Sequence, residues 1–240
     1  MDLFIGTSGF AYKEWVGSFY PETLPRTEML RYYANHFRAV EINNTFFRMP
    51  VESALRAWAD EVPEGFRFVL KAPQTITHRK RLKEVEEPVG RFLEVARSLE
   101  ARLGPLFFQL PPNFKKDLPR LEAFLDLLPA DPGAAIEFRH ASWFDDEVLA
   151  ALRARGVALC VAHGEDLDTP RVTTADWGYL RLRQVTYTDD DLQEWARYIV
   201  GGSWSRLYVF FKHEDTGTGP RLARRLGEIL GLPAALRGAG

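Results

Sequence analysis

Eight short apolar runs recur along the chain, at Phe4–Thr7, Ala39–Asn43, Phe66–Lys71, Leu106–Gln109, Ala134–Arg139, Val157–Ala162, Tyr179–Arg183 and Leu207–Lys212, and most close on a charged or amide residue. Their length and composition predict β-strands. Between most of them apolar residues recur at helical spacing, as in Phe92, Leu93, Ala96, Leu99 and Leu103, or Leu121, Phe124, Leu125 and Leu128. The order is therefore strand, helix, strand. Gly65, Gly104, Gly133 and Gly156 stand just before strands, where a helix C-terminus is expected to turn back through a left-handed residue. Thr188, followed by Asp189, Asp190 and Asp191, predicts a capped helix start for the segment through Trp195 to Ile199. The crossover from Gly164 to Asp176 shows no helical period, so a weak or missing helix is expected between strands six and seven.

Eight βα repeats in 240 residues suffice to close a (β/α)8 TIM barrel, an α/β fold read here as a single domain over residues 1–240. An open doubly wound sheet would bring G-x-G-x-x-G after its first strand. The turn here reads Gly6-Thr7-Ser8-Gly9-Phe10 instead.

Strand side chains alternate between faces, so parity sorts barrel interior from helix-facing shell. With Val40 and Ile42 outward, Glu41 and Asn43 point in; with Phe68 and Leu70 outward, Lys71 points in. The same rule turns Glu137 and Arg139, Arg181 and Arg183, and Lys212 inward, while Gln109 closes the fourth strand. A carboxylate such as Glu41 is costly inside an apolar strand and marks a site, and barrel enzymes keep their chemistry at the C-terminal strand ends.

Lys and Arg total 31 against 33 Asp and Glu, a net charge of -2. A whole-surface footprint for nucleic acid is absent, yet the inward set holds five cations (Lys71, Arg139, Arg181, Arg183, Lys212) and two carboxylates (Glu41, Glu137). Such a mouth focuses field onto an anion; the plainer alternative is buried ion pairs filling the barrel's layers, which leaves the surplus cations unexplained. The loops add Thr77-His78-Arg79-Lys80-Arg81 after strand three, Gly217-Thr218-Gly219 before the last helix, and aromatics including Phe10, Tyr12, Trp15, Phe46, Phe47 and Trp143. The basic run reads as a solvated face or anion capture, and the aromatics as loop anchors or stacking platforms. The single Cys160 reads as a buried strand thiol. His36, His78, His140, His163 and His213 match no metal signature, so neither metal nor cofactor is expected. With no basic-then-apolar leader and no run of about 18 apolar residues, a cytoplasmic chain without membrane contact is expected.

Gly6-Thr7-Ser8-Gly9-Phe10 with Tyr12, Lys13 and Trp15, Phe19-Tyr20-Pro21, Val40-Glu41-Ile42-Asn43 with Thr45-Phe46, Phe66-Arg67-Phe68 with Lys71, Thr77-His78, Phe108-Gln109-Leu110-Pro111-Pro112, and Glu137-Phe138-Arg139 with Ser142-Trp143 together resemble the YecE-like family, domain of unknown function 72. The resemblance covers residues 4 to about 212. It implies a single (β/α)8 barrel, related in fold to xylose-isomerase-like and endonuclease-like barrels, and no established reaction. The chain departs from the family pattern at Arg181-Leu182-Arg183-Gln184, where Arg-x-His-Gly is usual, and at Phe210-Phe211-Lys212-His213-Glu214, where Tyr-Phe-Asn-Asn-Asp is usual.

The expectation is an enzyme, of hydrolase, lyase or isomerase type, acting on an anionic phosphorylated, carboxylated or sugar-like small molecule. Glu41 or Glu137 would be acid or base, Lys71 a Schiff-base amine, and Arg139, Arg181 and Arg183 the anion holders. Two carboxylates also admit glycoside hydrolysis. Asn43, Thr45, Phe46, His78, Gln109, Trp143 and Lys212 complete the expected ligand surface. The alternatives are a nucleic-acid-binding or nucleic-acid-processing barrel and a non-catalytic binding protein.

Overall fold

A computed structural model describes residues 1–164 and 169–233. Eight strands, β1 (Asp2–Ser8), β2 (Ala39–Ile42), β3 (Arg67–Lys71), β4 (Leu103–Gln109), β5 (Ala134–Glu137), β6 (Ala158–His163), β7 (Trp177–Leu182) and β8 (Arg206–Phe211), pair in parallel and in sequence order, and β8 closes back onto β1. The helices are α1 (Met29–Ala34), α2 (Glu52–Glu61), α3 (Glu86–Ala96), α4 (Leu118–Leu125), α5 (Asp146–Ala154), α6 (Asp189–Gly201) and α7 (Thr218–Ile229). Residues 169–176, before β7, contain no helix, as the missing period implies; Glu165 to Asp168 of the same crossover lie outside the described residues. None of the described helices is long and apolar enough to cross a membrane.

The strand boundaries differ from expectation in ways that matter for the site. Asn43, Arg139, Arg183 and Lys212 fall just past their strands, in the loops that form the mouth. Leu103 opens β4 rather than closing a helix, because α3 ends at Ala96 and a 3-10 turn over Arg97–Arg102 intervenes. Gly104 thus lies inside a strand, where a Cβ would sit 3.2 Å from the Phe68 carbonyl. Gly133 and Gly156, with φ of 89° and 62°, take the left-handed turn expected of all four glycines; Gly65 and Gly104 do not.

The apolar residues form two bodies. The larger lies between strands and helices, as parity predicts for Val40, Phe68, Ile136, Leu180 and Val209. The smaller fills the barrel: Phe4, Phe107, Trp177, Tyr179, Tyr208 and Phe210 from β1, β4, β7 and β8 face Ala39, Ala135, Ala158, Cys160 and Ala162 from β2, β5 and β6. Large residues against small ones keep the interior close-packed while leaving room on one side for long polar side chains. Cys160 is fully buried, and burial pushes its thiol pKa well up, the behaviour of an inert packing thiol.

At the start of α6, Thr188 and Asp191 satisfy each other's backbone amides in a capping box. Thr188→Ala is expected to cost about 1 kcal/mol in urea unfolding, and Thr188→Ser to restore most of it.

Candidate functional site

Inward parity at the C-terminal ends of β2, β5 and β7 brings Glu41, Glu137 and Arg181 together at the top of the barrel's apolar plug. All three are buried. Arg181 donates from Nε to Glu41 Oε2 (2.8 Å), from Nη2 to Glu41 Oε1 (2.7 Å) and from Nη1 to Glu137 Oε2 (2.7 Å). Its guanidinium lies 4.7 Å from the centre of the Phe107 ring, which is itself stacked on Tyr179.

Both carboxylates accept further hydrogen bonds. Glu41 accepts from Ser8 Oγ (2.8 Å), Tyr179 Oη (2.6 Å) and Asn43 Nδ2 (3.1 Å). Glu137 accepts from Gln109 Nε2 (2.8 Å) and Arg139 Nε (2.8 Å). Burial alone would raise both carboxyl pKa values; Arg181 outweighs it for Glu41, and Arg181, Arg139 and Arg183 outweigh it for Glu137, so both stay below the ordinary carboxylate range.

These contacts correct the roles expected of three residues. Glu41 and Glu137 are held ionised with their oxygens occupied, a poor state for a general acid or base. Arg181 presents its bidentate edge to Glu41, so no fork is left for a ligand anion.

Lys71 extends the network differently. Nζ donates to Gln109 Oε1 (2.9 Å) and lies 4.4 Å from the centre of the Phe46 ring, and among the described residues no carboxylate pairs with it. Burial first, and the charge of Arg181 next, lower its pKa to about 8. His78 meets Phe46 edge-on at 4.8 Å and contacts Thr77 Oγ1 at 2.9 Å through Nδ1. Burial, with Lys71, Arg139 and Arg81 nearby, lowers its pKa to about 4, so it is neutral at pH 7. The segment that carries it is unusual: Thr75–Arg79 is a π-turn, and Arg81, Leu82 and Glu84 all have positive φ (49°, 64° and 52°). Strain of this kind in non-glycine residues gathers where a loop must hold side chains in place.

Three further residues expected on the ligand surface, and two of the basic run, do not converge on this cluster. Trp143 is fully buried behind β5, stacked on Phe138 and donating to the Phe114 carbonyl (2.6 Å). Thr45 is buried and donates from Oγ1 to the Lys71 carbonyl (2.6 Å), which ties its loop to the end of β3. Lys212, past the end of β8, is 42% exposed and its nearest carboxylate is Glu214 at 3.9 Å. Arg79 and Lys80 of the basic run face solvent. Arg139 remains at the mouth with its side chain 30% exposed. Arg183 is half-buried there, and its Nε is buried without a partner among the described residues. Asn43 Oδ1 is likewise buried and unpartnered.

Ser8 and Tyr179, both essential to the setting of Glu41, are absent from the residues expected at the site. Both are inward by the parity rule, but neither carries a charge to draw attention. Among the described residues no three His, Cys, Asp or Glu side chains gather as a metal-holding group.

The family described as protein of unknown function DUF72 matches residues 4–238. The UPF0759 protein YecE of Escherichia coli (strain K12) is 34% identical over 143 residues, 59% of this chain and 50% of that protein, so the chain spans about half the length of this relative. YunF of Bacillus subtilis, another UPF0759 protein, is 28% identical over 230 residues, 89% of this chain and 79% of its own length. Among solved structures, a DUF72 family protein from Thermotoga maritima has a TM-score of 0.83 at 26% identity, covering 96% of this chain and all of that one. A DUF72 protein from Enterococcus faecalis, at 18% identity and a TM-score of 0.80, has the same fold.

Proposed function

The chain belongs to the DUF72 family, and we propose that its barrel mouth is the catalytic site of an enzyme acting on a small molecule that bears a carboxylate or phosphate, with Lys71 as the reactive group. The carrying observation is Lys71 itself: an amine on the inner wall, without a carboxylate partner, with its pKa lowered to about 8. About a tenth of it is free base at pH 7, against less than a thousandth for a lysine at about 10.4. A neutral amine there can abstract a proton beside a carbonyl, or attack the carbonyl with loss of water.

The buried Glu41–Arg181–Glu137 group supports this reading as a fixed electrostatic frame. Burial depresses Lys71 first and Arg181 adds to it, while Glu41 and Glu137, tied to Arg181, act in the opposite direction without reversing the shift. Arg139, with Nε tied to Glu137 and the rest of its guanidinium toward the mouth, and Arg183 are the groups placed to hold the substrate's anionic end. Asn43 Oδ1 offers an acceptor for a substrate hydroxyl or amide. A concave mouth with so few exposed cations supports a small anion over a nucleic acid, whose backbone would need a tract of them.

The test is incubation of the purified protein with a metabolite extract, followed by mass spectrometry of what is retained and what is consumed. Wild type is expected to retain an anionic compound and deplete it with time. Arg139→Gln should lose retention by about tenfold or more, and Lys71→Gln should retain the compound without depleting it. Equal depletion by wild type and Lys71→Gln would remove Lys71 from the reaction.

A further inference from the structure

The opposite, N-terminal end of the barrel carries a second cationic group that the mouth does not use. Its floor is Phe4 stacked on Tyr208 (ring centres 4.7 Å apart, 11° between planes), with Trp177 edge-on to Tyr208 at 6.2 Å. Three guanidiniums lie over these rings: Arg38 and Arg67 at 4.7 Å and 5.8 Å from Phe4, and Arg206 at 5.5 Å from Trp177. None of the three forms an ion pair within 4.0 Å among the described residues. Arg67 Nη1 donates to the carbonyls of Glu64 and Phe66, and Arg206 Nη2 reaches the Pro132 carbonyl at 3.4 Å. Ring faces and carbonyl oxygens thus hold these arginines in place, and neither cancels their charge.

Tyr208 is the inner wall of this arrangement. It is only 2% exposed, yet its hydroxyl has no hydrogen bond among the described residues, and it borders a cavity of about 390 Å³ also lined by Arg67, Arg97, Arg206 and Pro132. Burial raises its pKa, Arg206, Arg67 and Arg38 act against that rise, and Asp2 adds weakly to it, so three cations and one carboxylate act on this phenol. Glu100 and Asp131 also line the cavity, but both are exposed at its rim. The charged side chains over the floor are cationic, and a cavity of this size is in the range of small-ligand sites.

We propose that this cavity is a second binding site, separate from the mouth, for a small molecule bearing a phosphoryl group. The free N–H edges of Arg67 and Arg206 hold its oxygens, the Tyr208 hydroxyl donates a further hydrogen bond, and Arg38 adds charge behind the rings. Guanidiniums already placed over aromatic rings lose less freedom when they bind an oxyanion, which favours them over mobile surface lysines.

The probe is inorganic pyrophosphate, titrated by calorimetry into the whole chain as wild type, Tyr208→Phe, Arg206→Gln and Arg139→Gln. Tyr208→Phe keeps the stacked ring and removes only the hydroxyl, so a folding defect does not cloud the result. A binding event that weakens about tenfold in Tyr208→Phe and in Arg206→Gln, and persists in Arg139→Gln, is the expected outcome. Binding lost only in Arg139→Gln would place the anion at the mouth alone and overturn the second site while leaving the mouth reading intact. Equal affinity in all four proteins, or no binding by wild type, would also overturn it.

Discussion

Arg181→Met is expected to lower the free energy of unfolding by about 3–5 kcal/mol at pH 7, among the largest losses available to any single polar residue in this barrel. The side chain is buried and spends three donors on two carboxylates that have no route to water. Without it, Glu41 loses the one charge that opposes its burial and Glu137 keeps only Arg139 and Arg183, so the folded pKa values move upward, most of all for Glu41. That shift fixes the pH dependence. In wild type both carboxyls have folded pKa values below the ordinary 4.5, so their stabilisation is present above that value and is lost as pH falls through the folded pKa. In the variant the folded pKa of Glu41 is expected above the unfolded one, so its penalty is full at neutral pH and relieved on acidification. The gap between the two proteins in denaturant unfolding should therefore shrink steeply below about pH 5. A gap under about 1 kcal/mol, unchanged with pH, would mean that the triad is not the electrostatic centre of the mouth.

Lys71→Met is expected to do the reverse and stabilise the protein, by about 1–3 kcal/mol at pH 7. A lysine whose folded pKa is about 8 against 10.5 unfolded penalises folding wherever its ammonium must be carried into the fold. The sign follows directly: the unfolded chain binds more protons between pH 8 and 10.5, so wild-type stability rises across that window. The variant's advantage is full below pH 8 and gone above 10.5. Methionine also fits the contact with the Phe46 ring, a favourable setting for a thioether. A residue kept at a cost in stability is the mark of a functional site rather than a packing solution.

Much of this was legible in the chain. Period-2 and period-3.6 patterns gave the eight strands and the barrel order, since each apolar pair such as Leu180 and Leu182 forces Arg181 inward. Which inward charge touches which is a different matter. Parity placed Glu41, Glu137 and Arg181 on one surface but said nothing of the 140-residue separation that Arg181 closes onto Glu41, or of the alanines on β2, β5 and β6 that make room for it. Parity also stops where strands stop. Lys212 lies one residue beyond β8, and its side chain turns to solvent. Trp143 and Thr45 misled for the opposite reason: an aromatic and a hydroxyl in a loop read equally as ligand contacts or as anchors, and buried partners decide for anchors. The depressed Lys71 depends on burial and on the charge of a residue 110 positions away, neither of which a local pattern records.

The reactive amine proposed at Lys71 is open to direct measurement. Labelling of the seven lysines with ¹³C-methyl groups by reductive methylation, followed by NMR titration from pH 6 to 12, reads each amine separately. One resonance titrating near pH 8, absent from Lys71→Arg and shifted by an added anion in wild type but not in Arg139→Gln, is the predicted result. Titration of Lys71 near 10.5 together with the other lysines would contradict it.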